Sequence, residues 1–123
     1  MNMHALSVVG RVLFALIFIV AAPRHFTAEG INHAADLGVP FAALCVPVSG
    51  LMALAGGLSV ASGYRTQSGA WLLIAFLVPV TVMMHGFWRL HDPQAVHIQQ
   101  AMLLKNVALV GGALLLAQHG PGL

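Results

Sequence analysis

The stretch AWLLIAFLVPVTVMMHGFW, residues 70–88, decides the fold class of this chain. It contains no Asp, Glu, Lys or Arg, and its apolar positions do not alternate with polar ones. A helix rising 1.5 Å per residue needs about 20 residues to cross a hydrocarbon core of about 30 Å. One such run alone would also suit the centre of a large soluble domain, so its surroundings matter. Three more apolar runs flank it. Leu6 to Ala22 is interrupted only by Arg11, Phe41 to Ser62 is uncharged, and Ala101 to Ala117 carries Lys105 and Asn106.

The whole chain has the same character. Of its 123 residues, 59% are hydrophobic and 7% charged, with a mean hydropathy of +0.91. Soluble domains carry roughly one quarter charged residues, and five Lys/Arg with three Asp/Glu cannot cover a globular surface. A soluble enzyme and a disordered tail are thereby excluded. The pI near 9.3 arises from a net charge of only +2 without a basic run, so a nucleic-acid partner is excluded too. The short alternating segments of a membrane β-barrel are absent. The expectation is an all-α, membrane-embedded antiparallel four-helix bundle, one domain over residues 1–123, with spans at about 6–22, 41–62, 70–88 and 99–118.

Local signals refine this plan. The first run also has the outline of a secretory signal peptide, with Val20-Ala21-Ala22 as a small-residue cleavage site. Pro23 directly after that site and the length of the run favour a retained helix. Residues 24–40 read as the longest connection, with Gly30, Gly38 and Pro40 as breakers, and residues 63–69 as a tight one. Asp92-Pro93 reads as an N-cap followed by a first-turn proline, which starts the last helix well before its apolar part. Ser49, Ala53, Gly57 and Ala61 recur every four residues, as do Ala108 and Gly112, and such positions let helices approach closely in lipid. Pro47 and Pro79 each remove a backbone donor within a span. Orientation does not follow from charge: Arg11 and Arg65 fall on one side, Arg24 and Arg89 on the other.

Charge within a span carries a functional reading by default, because it is expensive there. Lys105 has Ala101 and His97 four and eight residues before it on one helical face, with Gln99, Gln100 and Asn106 nearby. His85 and Arg89 are four apart at the end of the third run, beside Trp88, and Arg24-His25 ends the first. Antiparallel connectivity brings these ends to one face of the membrane. The candidate ligand-binding cluster is therefore His25, His85, Arg89, His97, Lys105 and Asn106. Arg11, Arg24 and Trp88 are expected to anchor the bundle at the interfaces. His33, His91 and His119 read as solvated loop residues, and Cys45 as a packed thiol.

No catalytic residue and no metal site is expected. The histidines do not form an HxxxH or HxxEH pattern, the charges beside them are positive, and no carboxylate lies within a span. Cationic Lys and Arg with neutral His and amides suit an anionic or carbonyl oxygen at the bilayer edge, such as a quinone headgroup.

The residues also resemble a known family. LLKNVALVGGALLL followed by QHGPG, residues 103–122 taken with the intervening Ala117, and GRVLFALIFIVAAPRHF, residues 10–26, are similar to the closing and opening patterns of the DoxX family of small four-helix membrane proteins. Gly38-Val39-Pro40, AGGL at 55–58 and Gly63-Tyr64 occur in the same order. The chain departs from the family where many members carry a Gly and a Lys near the end of helix one, here Ala22 and His25, and a Glu before the helix-two glycines, here Ala53.

The resemblance implies a bacterial inner-membrane protein with both termini in the cytoplasm and a theme of thiosulfate–quinone oxidoreductase subunits and redox adaptors. The leading expectation is a non-catalytic accessory subunit, seated in the bilayer and packed against protein partners of a larger redox or energy-conversion complex. The alternatives are a quinone-linked oxidoreductase subunit, with quinone as its only suggested cofactor, and a small transporter or lipid-handling protein.

Overall fold

The computed structural model describes residues 2–121, and all regular structure among them is helical. Four long helices, α1 (Met3–Ala21), α3 (Ala42–Ser62), α4 (Thr66–Met84) and α5 (Pro93–His119), form an antiparallel bundle. A short helix, α2 (Ala28–Asp36), lies between the first two. Short 3-10 turns follow α1 at Ala22–Phe26 and α4 at Phe87–Arg89. Met3–Phe26, Ala42–Ser62, Thr66–Arg89 and Pro93–His119 are each long and apolar enough to cross a membrane.

The bundle has the inside-out pattern that a lipid solvent allows. Leu13, Leu51, Val82 and Leu115 point outward and are all more than half exposed. The fully buried positions include small ones, Ala15, Ala53, Ala70 and Ala113, with Phe18, Leu73, Phe76 and Leu77 filling the centre. Without a hydrophobic force between helices in lipid, close backbone approach and van der Waals contact hold the bundle. The Ser49–Ala61 stripe performs this task within the molecule. Gly57 faces Phe18 and Ile19 of α1, and the adjacent Gly56 faces Leu73 of α4. α1 packs on α3, α3 on α4 and α4 on α5, whereas the edge between α1 and α5 is nearly open.

The sequence-based boundaries need two corrections. Residues 28–36, read as part of a connection, are helical. Thr27 caps them, accepting from Gly30 N at 3.1 Å and donating to Arg24 O at 2.7 Å, while Gly30 and Ala34 form a buried stripe with Ala34 packed beside Ala42 and Val46 of α3. Within the third span, which runs on to Arg89, the regular helix stops earlier than Trp88. α4 ends at Met84, and the Arg89 guanidinium folds back over Gly86 to donate to Met83 O at 2.6 Å. α5 starts where the cap signal placed it, with Asp92 Oδ2 accepting from Ala95 N at 2.9 Å.

Candidate functional site

At the end of the bundle where α1 and α4 finish, the polar residues of the spans gather around two cavities. The larger, about 500 Å³, lies between α2, α3 and α4 and is walled mainly by apolar side chains such as Val46, Met52, Pro79 and Met83, with Arg24 and His33 among its polar residues. The smaller, about 150 Å³, lies between α1, α4 and α5 along the open edge and is lined by Lys105, Asn106 and Leu109 opposite Ile17, Phe18 and Leu77. His25, Phe76, Val80 and His85 line both, so the two cavities share a wall. A cavity near 150 Å³ is large enough for one six-membered ring, and 500 Å³ falls within the usual range for small-molecule sites.

Each histidine is held from one side. His25, in the 3-10 turn that follows α1, has its Nδ1 2.9 Å from Ser49 Oγ, whose hydroxyl donates to Val46 O at 2.6 Å. Its ring also lies 5.6 Å from that of Phe76. Gly50 makes this approach feasible, because a Cβ there would meet His25 Cβ. His85 closes α4, and its Nδ1 lies 2.8 Å from Gln99 Oε1 on α5. These two pairs tie α1 to α3 and α4 to α5 at the level of the cavities.

The α5 residues are less satisfied. Asn106 is 5% exposed, lines the smaller cavity, and its amide has no hydrogen-bond partner among the described residues. Among the described residues, Lys105 Nζ has only the Met102 sulfur, at 3.7 Å, a weak acceptor. The acids Glu29, Asp36 and Asp92 all lie outside the four long apolar elements, on α2 or at the cap of α5. Among the described residues, the hydroxyls Thr66 Oγ1 and Thr81 Oγ1 are buried without partners, and neither residue lines either cavity.

Of the six cluster residues, the structure brings four together: His25, His85, Lys105 and Asn106. Arg89 is spent on the carbonyls at the end of α4, and His97 is exposed and lines neither cavity. In sequence Ser49 is one small residue of the packing stripe, and its role as the holder of His25 has no local sequence signal. Gln99 stood among the polar neighbours, and its pairing with His85 depends on how α4 and α5 are rotated against each other.

Other side chains differ from their sequence reading. Arg11, expected at the headgroups, is 8% exposed and lies against Gly63 at the α3–α4 turn, with Nε 3.3 Å from Ser7 O. Gly63 takes a positive φ of 81° and ends α3 by donating to Ser59 O at 3.1 Å. Cys45, expected to be packed, is exposed on the larger cavity. Arg24 is exposed and lies 3.8 Å from Glu29, and Trp88 is exposed with its ring edge-on to Phe87 at 5.4 Å. Among the described residues, no three of His, Cys, Asp and Glu are grouped as metal ligands.

Comparison with known proteins agrees with this architecture. Inner membrane protein YphA of Escherichia coli (strain K12) is 29% identical over 119 residues, covering 95% of this chain and 84% of its own length. Inner membrane protein YqjF of the same organism is 29% identical over 116 residues, covering 93% of this chain and 83% of its own length. No solved structure matches. The DoxX family model matches residues 6–86, from the first turns of α1 through the end of α4. The Lys105–Gly112 block of α5, the most specific part of the resemblance, lies beyond that match and is reached only by the two relatives. With about two thirds of its length matched by the family model, the chain belongs to the DoxX family.

Proposed function

We propose that this chain is a membrane-embedded subunit of a larger redox assembly, and that its smaller cavity holds the oxygen-bearing ring of a quinone-type lipid. The observation that carries the reading is Asn106, 5% exposed and lining a ring-sized cavity, with no side-chain hydrogen bond among the described residues. An amide at the wall of a cavity both donates and accepts, and an oxygen of a bound ring supplies a partner for it there. Lys105 at the same cavity adds a charged donor, and a charged-group hydrogen bond is stronger than a neutral one. Phe18, Phe76 and Leu77 supply apolar walls, and the cavity lies where α1 and α5 leave a side open to lipid. The chain binds and orients; electron transfer belongs to its partner. The family resemblance supports a seat in the bacterial inner membrane with both termini in the cytoplasm, which sets the cavities in the outer half.

The test is direct titration of the protein in lipid nanodiscs with decylubiquinone. Asn106→Leu is expected to weaken binding by ten- to a hundredfold while leaving the unfolding midpoint unchanged or raised, since the unpaired amide is removed. Equal affinity in the two proteins overturns the reading.

A second reading, an adaptor without a ligand, is favoured by one specific observation. The span of α5 buries only a narrow face, and Lys105 within it has no carboxylate. Blue-native separation after mild solubilisation checks this reading: stoichiometric co-migration with a redox complex supports it, and quantitative recovery as a free bundle rejects it.

A further inference from the structure

The histidines that line the smaller cavity have already committed one nitrogen each. His85 Nδ1 meets Gln99 Oε1 at 2.8 Å, and an amide oxygen only accepts, so the proton of the neutral ring sits on Nδ1. His25 Nδ1 meets Ser49 Oγ at 2.9 Å. The Ser49 proton is donated to Val46 O at 2.6 Å, so the hydroxyl oxygen receives the His25 N–H rather than donating to it. A neutral imidazole carries one N–H, and its tautomer follows the hydrogen bond that its other nitrogen makes. In both rings the nitrogen left to a ligand is therefore Nε2, a lone-pair acceptor.

The polarity of the cavity follows. From α5 come donors, the Lys105 ammonium and the Asn106 amide N–H groups. From the ends of α1 and α4 come His25 and His85, which line the cavity and each carry one acceptor nitrogen. A ring bearing only carbonyl oxygens satisfies the donors and strands both Nε2 atoms. A ring bearing hydroxyls satisfies both sides, because each hydroxyl donates one hydrogen bond and accepts others. We infer that the cavity selects the dihydroxy, quinol-type form of its ring ligand over the dione. This inference rests on the ring-binding reading above and adds to it which oxidation state is held.

The experiment compares decylubiquinol, kept reduced under anaerobic conditions, with decylubiquinone on the same protein in nanodiscs. The quinol is expected to bind at least tenfold more tightly, and a tenfold preference raises the midpoint of the bound two-electron couple by about 30 mV. In His85→Leu the preference is expected to shrink to about threefold or less while quinone affinity holds. Quinone binding as tight as quinol, or tighter, overturns the inference and leaves the ring-binding reading standing. Failure of both ligands to bind overturns the two together. Nitrogen-15 NMR of the imidazoles in the parent protein, assigned by through-bond and through-space correlations, gives an arm independent of ligand and of variant folding. Protonated Nδ1 with bare Nε2 in both rings is expected, and a proton on either Nε2 overturns the inference.

Discussion

The seam between α3 and α4 and the edge between α1 and α5 are built from the same kinds of helix, yet one is closed and the other is not. Along the closed seam, a Cβ on Gly56 would stand 2.8 Å from Leu73 Cγ, and one on Gly69 would run into Ser59. The helices touch through their backbones. Along the open edge, Gly112 meets the Phe14 ring, and farther along both helices line the polar cavity. Gly111, one residue away, has nothing within 4 Å of where its Cβ would be. The difference teaches that in lipid a gap is not squeezed shut by solvent. Stability is concentrated where small residues permit contact, and binding is left to the edge where they do not.

The sharpest way to break this comparison is to place the same side chain on both helices. Gly56→Leu forces a side chain into Leu73 and the Gly69 backbone, and is expected to cost about 3 kcal/mol. Gly111→Leu projects into open space and is expected to stay within about 0.5 kcal/mol of the parent. Reversible unfolding in mixed micelles measures both, and equal losses would mean that the two regions do not differ as described.

A smaller effect is expected where a hydrogen bond joins packing to the cavity. Ser49→Ala removes the partner of His25 Nδ1 and should lower stability by about 1 kcal/mol. It should also release the His25 ring, seen as loss of the slow-exchanging Nδ1 proton in NMR. An unchanged His25 signal would show that Gly50 and Phe76 alone hold the ring. The smallest expected effect is at Arg89, whose guanidinium serves the C-terminal carbonyls of α4. Arg89→Met should cost about 0.5 kcal/mol and leave ring-ligand affinity unchanged. A tenfold loss of affinity would return Arg89 to the binding site.

Much of the fold was legible because the decisive signals are local. An uncharged run such as residues 70–88 has one stable form in lipid, since helix formation satisfies its own backbone. Asp92-Pro93 marked the start of α5 by chemistry contained within one turn. The short helix α2 was missed for an equally local reason. Gly30 and Gly38 read as breakers, and the Thr27 cap that starts the helix overrides them. The site was legible in part. Connectivity alone places His25 and His85, at the ends of their spans, on the side where α5 begins, and the structure sets them around one cavity with Lys105 and Asn106 from the middle of α5. His97 was assigned with Lys105 from helical spacing, but it lies two turns nearer the end of α5, beyond the cavity.

By itself, then, the sequence determined that this chain is four membrane-length helices in an antiparallel order, with its charges confined to known ends and depths. Those properties depend on composition, length and caps, each set within a few residues. Only the tertiary structure decided which face each helix turns inward. The same rotation buries Arg11 against Gly63, spends Arg89 on a helix end, and leaves Asn106 facing a cavity without a partner. In lipid that choice rests on the close fit of small residues between helices far apart in sequence, and no single segment contains it.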